Sequence, residues 1–315
     1  MISFRPYNNK DLDEVLELIK RSDSTDRSQE TWVGNDMTAM LAYDEDRLIG
    51  IIPFEKRNII MDGRHKVKAL WVSAAHVEPE YRGQGVGTQL DSRIKAEFYP
   101  EFKAVFVIRE DEQSAAYRWY KKLGYHHLAN LLSLKLDVTS VENSAEFVLL
   151  ETLEEFKNYG PRLKHCFDAR IGSCGGYPER DERFWEKKFN SHYYREHYSY
   201  KIVAIGGKLD AQITAYAFCG KTNLRDGVNR LDILEIIVPE DEKARDGLFS
   251  AVLNCADRMR CREIRIQLAE HDPLVKWLKD RGFVLRWQTN LLGKYIDSEK
   301  PLANVNWKFF HIDYI

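Results

Sequence analysis

The heptapeptide Trp119-Tyr-Lys-Lys-Leu-Gly-Tyr125 recurs as Trp277-Leu-Lys-Asp-Arg-Gly-Phe283, and the patterns before it recur in the same order. Phe147-Val-Leu-Leu with Thr152-Leu-Glu-Glu-Phe repeats the opening Ile2-Ser-Phe-Arg-Pro and the helical pattern after it. Val203-Ala-Ile-Gly-Gly-Lys-Leu-Asp-Ala-Gln-Ile repeats the hairpin pattern at 42–52. Ile233-Leu-Glu-Ile-Ile-Val-Pro239 repeats the apolar run that ends at Pro79, and Ile264-Arg-Ile-Gln-Leu repeats the run at 104. A matched order over so many elements is the signature of an internal duplication. The copies stand farther apart at Pro79/Pro239 and Gly124/Gly282 than at Phe4/Val148, so the second copy carries an insertion near its front. The aromatic and arginine-rich region from His165 to Tyr200 is its expected place.

The chain has 315 residues, 44% of them hydrophobic, enough for two cores. The expected division is a first domain at 1–137, a linker at 138–145 within the polar stretch Asp137-Val-Thr-Ser-Val-Glu-Asn-Ser144, and a second domain at 146–315. The 47 basic and 49 acidic residues leave a formal charge of -2, which argues against nucleic acid as the partner. No leader pattern opens the chain and no run of apolar residues is long enough to span a bilayer, so the expectation is a cytoplasmic protein without a membrane partner. Oligomeric state stays open between monomer and homodimer. Five cysteines, all in the second half, have neither zinc-site nor disulfide spacing and read as reduced structural thiols.

Along the first half, Ile2–Pro6 reads as a strand, and Asn8 or Asn9 caps a helix whose apolar face is Leu12, Val15, Leu16 and Ile19. Met40–Tyr43 and Leu48–Phe54 make a hairpin, continued by a third strand at Arg57–Met61. Val67–Val77 is a longer apolar run, followed by Arg82-Gly-Gln-Gly-Val-Gly87 and a helix through Thr88, Leu90, Ile94 and Phe98. A strand at 104–108, a helix from Ser114 to Leu123 stopped by Gly124, and a strand near Leu131–Leu136 complete it. The fold class is α/β, with a mixed and mostly antiparallel sheet flanked by helices in each half.

The three glycines on a strand-to-helix turn set the chemistry. A nucleoside-triphosphate loop needs a lysine before Thr88, and Gly87 stands there. A dinucleotide fingerprint needs its third glycine one residue later, after a strand of a parallel sheet. Arg/Gln-x-x-Gly-x-Gly/Ala does fit, and glycines at a helix N-terminus leave successive N–H groups and the positive end of the dipole open to a pyrophosphate.

With its flank Val77-Glu-Pro-Glu-Tyr-Arg-Gly-Gln-Gly-Val-Gly87, this stretch resembles the GNAT N-acetyltransferase superfamily. The resemblance implies acetyl-CoA as co-substrate, its pyrophosphate met by Arg82, Gly83, Gln84, Gly85, Val86, Gly87 and Thr88, and no metal. Gln113-x-x-Ala116-x-x-x-Tyr120-x-x-x-Gly124-Tyr125 is similar to a second GNAT motif, with Gln where Asn is common. Comparison with the family makes Tyr120 the acid that returns a proton to the leaving thiolate. The family also implies that the strand ending at Val77 splays from the one at 104–108, with the Val77 N–H facing the acetyl carbonyl. The base that deprotonates the amine is open between Glu78, His76 and, through water, Glu110 or Asp111.

Aligning Pro239 on Pro79 puts Glu242-Lys-Ala-Arg-Asp-Gly247 over the glycine turn and Leu278 over Tyr120. The second copy therefore reads as a degenerate GNAT-like domain. Its segment Arg170–Trp185 is loosely similar to aminoglycoside-modifying relatives and either lines a substrate cleft or packs. The expected activity is acetyl transfer to a small-molecule or peptide amine by direct attack. The alternatives are an aminoglycoside-type or mycothiol-synthase-like transferase, and an acyl-CoA-binding interaction protein without turnover.

Overall fold

The computed structural model describes residues 1–22, 38–61, 65–73, 75–98, 101–109, 112–138, 147–171, 174–190, 198–205, 213–222, 229–238, 240–296, 308 and 310. The chain divides into two compact units, one of residues 1–59, 66–128 and 290–304, the other of residues 60–65, 129–289 and 305–315.

The first unit opens with β1 (Ile2–Pro6), a capped single turn at Asn9–Asp11 and α1 (Leu12–Ser22). Then come β2 (Thr38–Asp44), β3 (Arg47–Ile60), β4 (Lys66–Val72), β5 (His76–Val77), α2 (Val86–Phe98), β6 (Ala104–Arg109), α3 (Ala115–Lys122) and the start of β7 (His126–Asp137). Its sheet runs β1-β2-β3-β4-β6 and ends on residues 290–295 of the last described strand, β14 (Val284–Tyr295). Strands β4 and β6 are parallel, with antiparallel pairs β1/β2, β2/β3 and β6/β14 around them. Both faces are covered, so the strands carry apolar residues on both sides. On one face Val15, Leu18 and Ile19 of α1 pack with Ala39, Leu41 and Ile51. On the other, Val86, Leu90 and Ile94 of α2 and Tyr120 of α3 pack with Met40, Ile52, Leu70, Val105 and Leu292.

The second unit takes the rest of β7, then β8 (Val148–Leu150), α4 (Leu153–Ile171), β9 (Tyr177–Pro178), α5 (Phe184–Asn190), β10 (Tyr198–Ile205) and β11 (Ala215–Thr222). It continues with β12 (Arg230–Ile237), α6 (Glu242–Arg258), β13 (Glu263–Ala269), α7 (Pro273–Asp280) and the first half of β14. Its sheet order is β8-β10-β11-β12-β13-β7, with β12 and β13 parallel and every other pair antiparallel. Strand for strand this is the order of the first unit, so the duplication read from the sequence is present in the topology. Among the described residues no helix is long and apolar enough to cross a membrane.

The units differ from a sequential division at residue 137: residues 60–65 belong to the second unit, and one strand is exchanged. The strand after each copy's glycine stop is traded: residues 129–137 of β7 pair with β13 in the second unit, and residues 290–295 of β14 pair with β6 in the first. Two other expectations shift. The strands expected at 48–54 and 57–61 are one strand, β3, and the run 67–77 is cut into β4 and β5. The stretch 139–146, most of the expected linker, lies outside the described residues, as does the 307–315 tail apart from Lys308 and Phe310.

Candidate functional site

The cleft of the first unit starts where a parallel ladder stops. β4 pairs with β6 from Ala69/Ala104 to Val72/Val107, and after three further residues the chain pairs, among the described residues, only with β3, Ile51 opposite His76 and Gly50 opposite Val77. Beyond Val107, Ile108 and Arg109 thus lose their parallel neighbour, which is the expected splay. The Glu78 N–H donates to the Ile49 carbonyl at 2.9 Å. Antiparallel pairs alternate between bonded and non-bonded, so Val77 opposite Gly50 is a non-bonded pair and its N–H and C=O point away from β3. The side chain of Arg82 claims that carbonyl, its Nε donating at 2.9 Å. A bulge where β2 and β3 lose register, between Ala42 and Tyr43, lies beside this point.

A cleft of about 770 Å³ opens there, lined by His76, Val77, Tyr81, Arg82, Gly83, Gly85, Val86, Gly87, Thr88, Arg109, Trp119 and Tyr120 among others. The volume suits a ligand of cofactor size. Its floor is the start of α2. Gly83 and Gly85 have φ of +77° and +84°, the left-handed region that a side chain makes costly. A Cβ on Gly83 would meet nothing within 4 Å, so backbone conformation, and not crowding within the protein, requires glycine there. Gly87 is different, because its Cβ would stand 3.1 Å from the Trp119 ring. That ring donates from Nε1 to Thr88 Oγ1 at 3.2 Å and ties α3 to the first turn of α2. The leading N–H groups of a helix have no intrahelical acceptor. In this unit they belong to residues that line the cleft, and the bare turn fits a pyrophosphate.

Tyr120 is 1% exposed, yet it is among the residues that line the cleft. Arg109 holds it, with Nη2 donating to the phenol oxygen at 3.1 Å and the guanidinium carbon 5.0 Å from the ring centre. Behind it Tyr125 packs edge-on at 5.0 Å and donates to Asp91 Oδ1 at 3.3 Å. Burial first, and Asp91 second, push the Tyr125 phenol well above its ordinary value, so it remains a donor.

The candidate bases part company. His76 lines the cleft and its Nδ1 lies 3.1 Å from Ser22 Oγ at the end of α1. Glu78 does not line it. The residue is 1% exposed, its carboxylate held by Arg21 Nε at 2.7 Å and Arg47 Nη2 at 2.7 Å, a counterion that fastens α1 and β3 to β5. Gln84 also points elsewhere, donating to the Glu80 carbonyl at 2.6 Å. Glu110 and Asp111 lie outside the described residues. Arg109 is the residue sequence reasoning missed: an arginine between an apolar strand and an acidic run reads as the start of a surface turn.

The second unit builds the same frame and fills it. Its parallel ladder also stops after four pairs, at Ile233/Ile266. Two residues on, buried Glu235 receives Arg180 Nη2 at 2.8 Å, Trp185 Nε1 at 2.9 Å and Tyr216 Oη at 2.7 Å. Arg180 and Trp185 come from the expected insertion, so this part of it packs. At the N-terminus of α6 the Asp241 carboxylate accepts the Ala244 N–H at 2.7 Å, occupying the position an anion would take. Leu278, at the place of Tyr120, is fully buried. The cysteines are free thiols, and burial raises Cys166 and Cys255 to about 12 and Cys261 to about 11, which makes them poor nucleophiles. Among the described residues no His, Cys, Asp or Glu cluster could hold a metal ion.

Residues 35–127 match the family model of the acetyltransferase (GNAT) domain. No curated protein sequence matches the chain. Among solved structures, a GCN5-related N-acetyltransferase from Anabaena variabilis aligns with a TM-score of 0.70 at 16% identity, over 94% of this chain and 73% of that one. One from Sphaerobacter thermophilus aligns with a TM-score of 0.59 at 14% identity, over 96% and 98%. A tandem GNAT protein from the clavulanic acid biosynthesis pathway aligns with a TM-score of 0.61 at 10% identity, over 95% and 99%. At these identities the likeness is one of fold.

Proposed function

From a chain that carries a GNAT acetyltransferase domain at residues 35–127, we propose that the first unit transfers an acetyl group from acetyl-CoA to an amine by direct attack. The observation that carries the proposal is the lining of one cleft by the bare turn at Gly83 and Gly85, by Val77 with its outward N–H, and by Tyr120. Acetyl-CoA supplies the activated thioester. The N–H groups of Gly85 to Thr88 and the α2 dipole hold its pyrophosphate. The Val77 N–H donates to the acetyl oxygen as charge gathers there. Tyr120 gives its proton to the departing thiolate, and Arg109, donating to the same phenol oxygen, stabilises the charge that this leaves. His76 takes the proton of the attacking amine, with Ser22 holding the ring. Glu78, neutralised by two arginines, keeps β5 in position.

Tyr120→Phe tests the reading. Loss of a positioned acid lowers kcat by about 10²-fold or more, while the rise in melting temperature on adding acetyl-CoA is retained. Unchanged turnover removes Tyr120 from the mechanism. A wild-type protein that binds acetyl-CoA and releases no CoA with a broad amine panel is a binding protein and not a transferase.

A further inference from the structure

Arg109 has no carboxylate partner among the described residues. Its Nη2 is shared between the Tyr120 hydroxyl at 3.1 Å and the Ser73 carbonyl at 3.4 Å, and its enclosed Nε has no acceptor. A half-buried guanidinium without a counterion is costly, and the cost falls when an anion enters. The other cations of the cleft are placed differently. Arg82 spends its side chain on the Val77 and Ser22 carbonyls beside the glycine turn, and Lys122 is exposed on the last turn of α3. No carboxylate lines the cleft among the described residues. Arg109 therefore offers positive charge at the Tyr120 end, where the acceptor amine must come, and not at the end suited to the pyrophosphate.

We propose that the acceptor is an amine that also carries a carboxylate, of the α-amino acid type, and that Arg109 receives this carboxylate through its unused donors. The inference rests on the acetyl-transfer reading for the direction of the cleft. Arg109 would then serve both partners: Nη2 stays on the phenol, and Nη1, the terminal nitrogen not engaged there, donates to the carboxylate.

The test is calorimetric titration of the full chain, with and without CoA, using N-acetyl α-amino acids of apolar, polar, acidic and basic side chains. Each is matched with the N-acetyl amine that lacks the carboxylate. At least one acid is expected to bind about tenfold or more tightly than its match, as an arginine–carboxylate pair provides. In Arg109→Gln that preference falls to about twofold or less. Arg109→Lys, which keeps the charge without the fork, retains part of it. Equal affinities in every pair, no binding of any acid, or a preference that survives in Arg109→Gln each overturns the proposal. Turnover that drops alike for both members of a pair, with their affinity ratio unchanged, also overturns it. Failure of the transfer reading looks different: acetyl-CoA then leaves the melting temperature unmoved while the carboxylate preference stands.

Discussion

Lys294 lies on the stretch of β14 that the last copy contributes to the first unit, paired with Val105 and only 6% exposed at its side chain. Its ammonium donates to the Leu123 carbonyl at 2.8 Å, stands 4.1 Å from the Tyr125 ring centre and 3.5 Å from Asp91 Oδ2. Asp91 is already committed to Lys95 at 2.6 Å. Burial lowers the Lys294 pKa from 10.5 to about 7, the Asp91 charge opposing and Lys95 adding to the fall. The unfolded chain then binds the proton more tightly than the folded one, so stability rises with pH between about 7 and 10.5. Each pH unit is worth 1.36 kcal/mol, which gives about 5 kcal/mol over the window as a ceiling. The ring and the carbonyl favour the charged form and reduce it. Lys294→Met keeps the length and leaves Asp91 paired with Lys95. Thermal unfolding of both proteins from pH 6.5 to 9.5 should show wild type gaining on the variant by several degrees, at roughly 3 °C per kcal/mol. A gap that stays constant across that range refutes the reasoning.

Glu78→Gln should lower the melting temperature, because two arginines lose their shared anion, yet leave kcat within about fivefold, since a positioned base contributes 10²-fold or more; unchanged stability with a large loss of turnover would reinstate Glu78 as the base. Gly85→Glu should abolish acetyl-CoA binding with the first unit still folded, and retained affinity would sink the anion-binding role of the turn. Trp185→Phe strips one of three donors from buried Glu235 and should cost about 1–3 kcal/mol, read as reduced melting of the second unit without loss of acetyl-CoA binding; a variant as stable as wild type would show that network to be dispensable.

The parts legible in the sequence were those written locally. The glycine turn announces itself because positive φ at Gly83 and Gly85 admits few residue types, and the duplication because each copy repeats its own periodicity. The strand exchange was not legible: β7 and β14 follow the same helix-and-glycine stop, and either could complete either sheet by pattern alone. Glu55 and Lys56 fall between two expected strands, yet Glu55 pairs with Arg57 at 2.6 Å inside β3 while Arg57 covers the Trp71 ring. Glu78 read as a base from its place beside Val77. Its partners in the fold are Arg21 and Arg47, which no local window places against it.

The two units also differ in what meets the start of the helix under the splay. A helix that begins under a sheet's splay has donors to satisfy, and each copy solves this differently. In the first, glycines keep the approach bare and the α2 terminus lines an open cleft. In the second, Asp241 supplies the anion from within the chain, and Arg245 and Arg281 fold over Trp277, with Arg281 pairing with Asp246. The splay itself is closed by Glu235 and the donors that the insertion brings. A carboxylate fixed at a helix start excludes a phosphate by charge and by space. The losses in the second copy are thus coupled: once Asp241 caps α6, bare glycines at 243–245 gain nothing and cost chain entropy. Opening this end of the second unit to a ligand would require removing the cap and the Glu235 network together, because either alone leaves the space occupied.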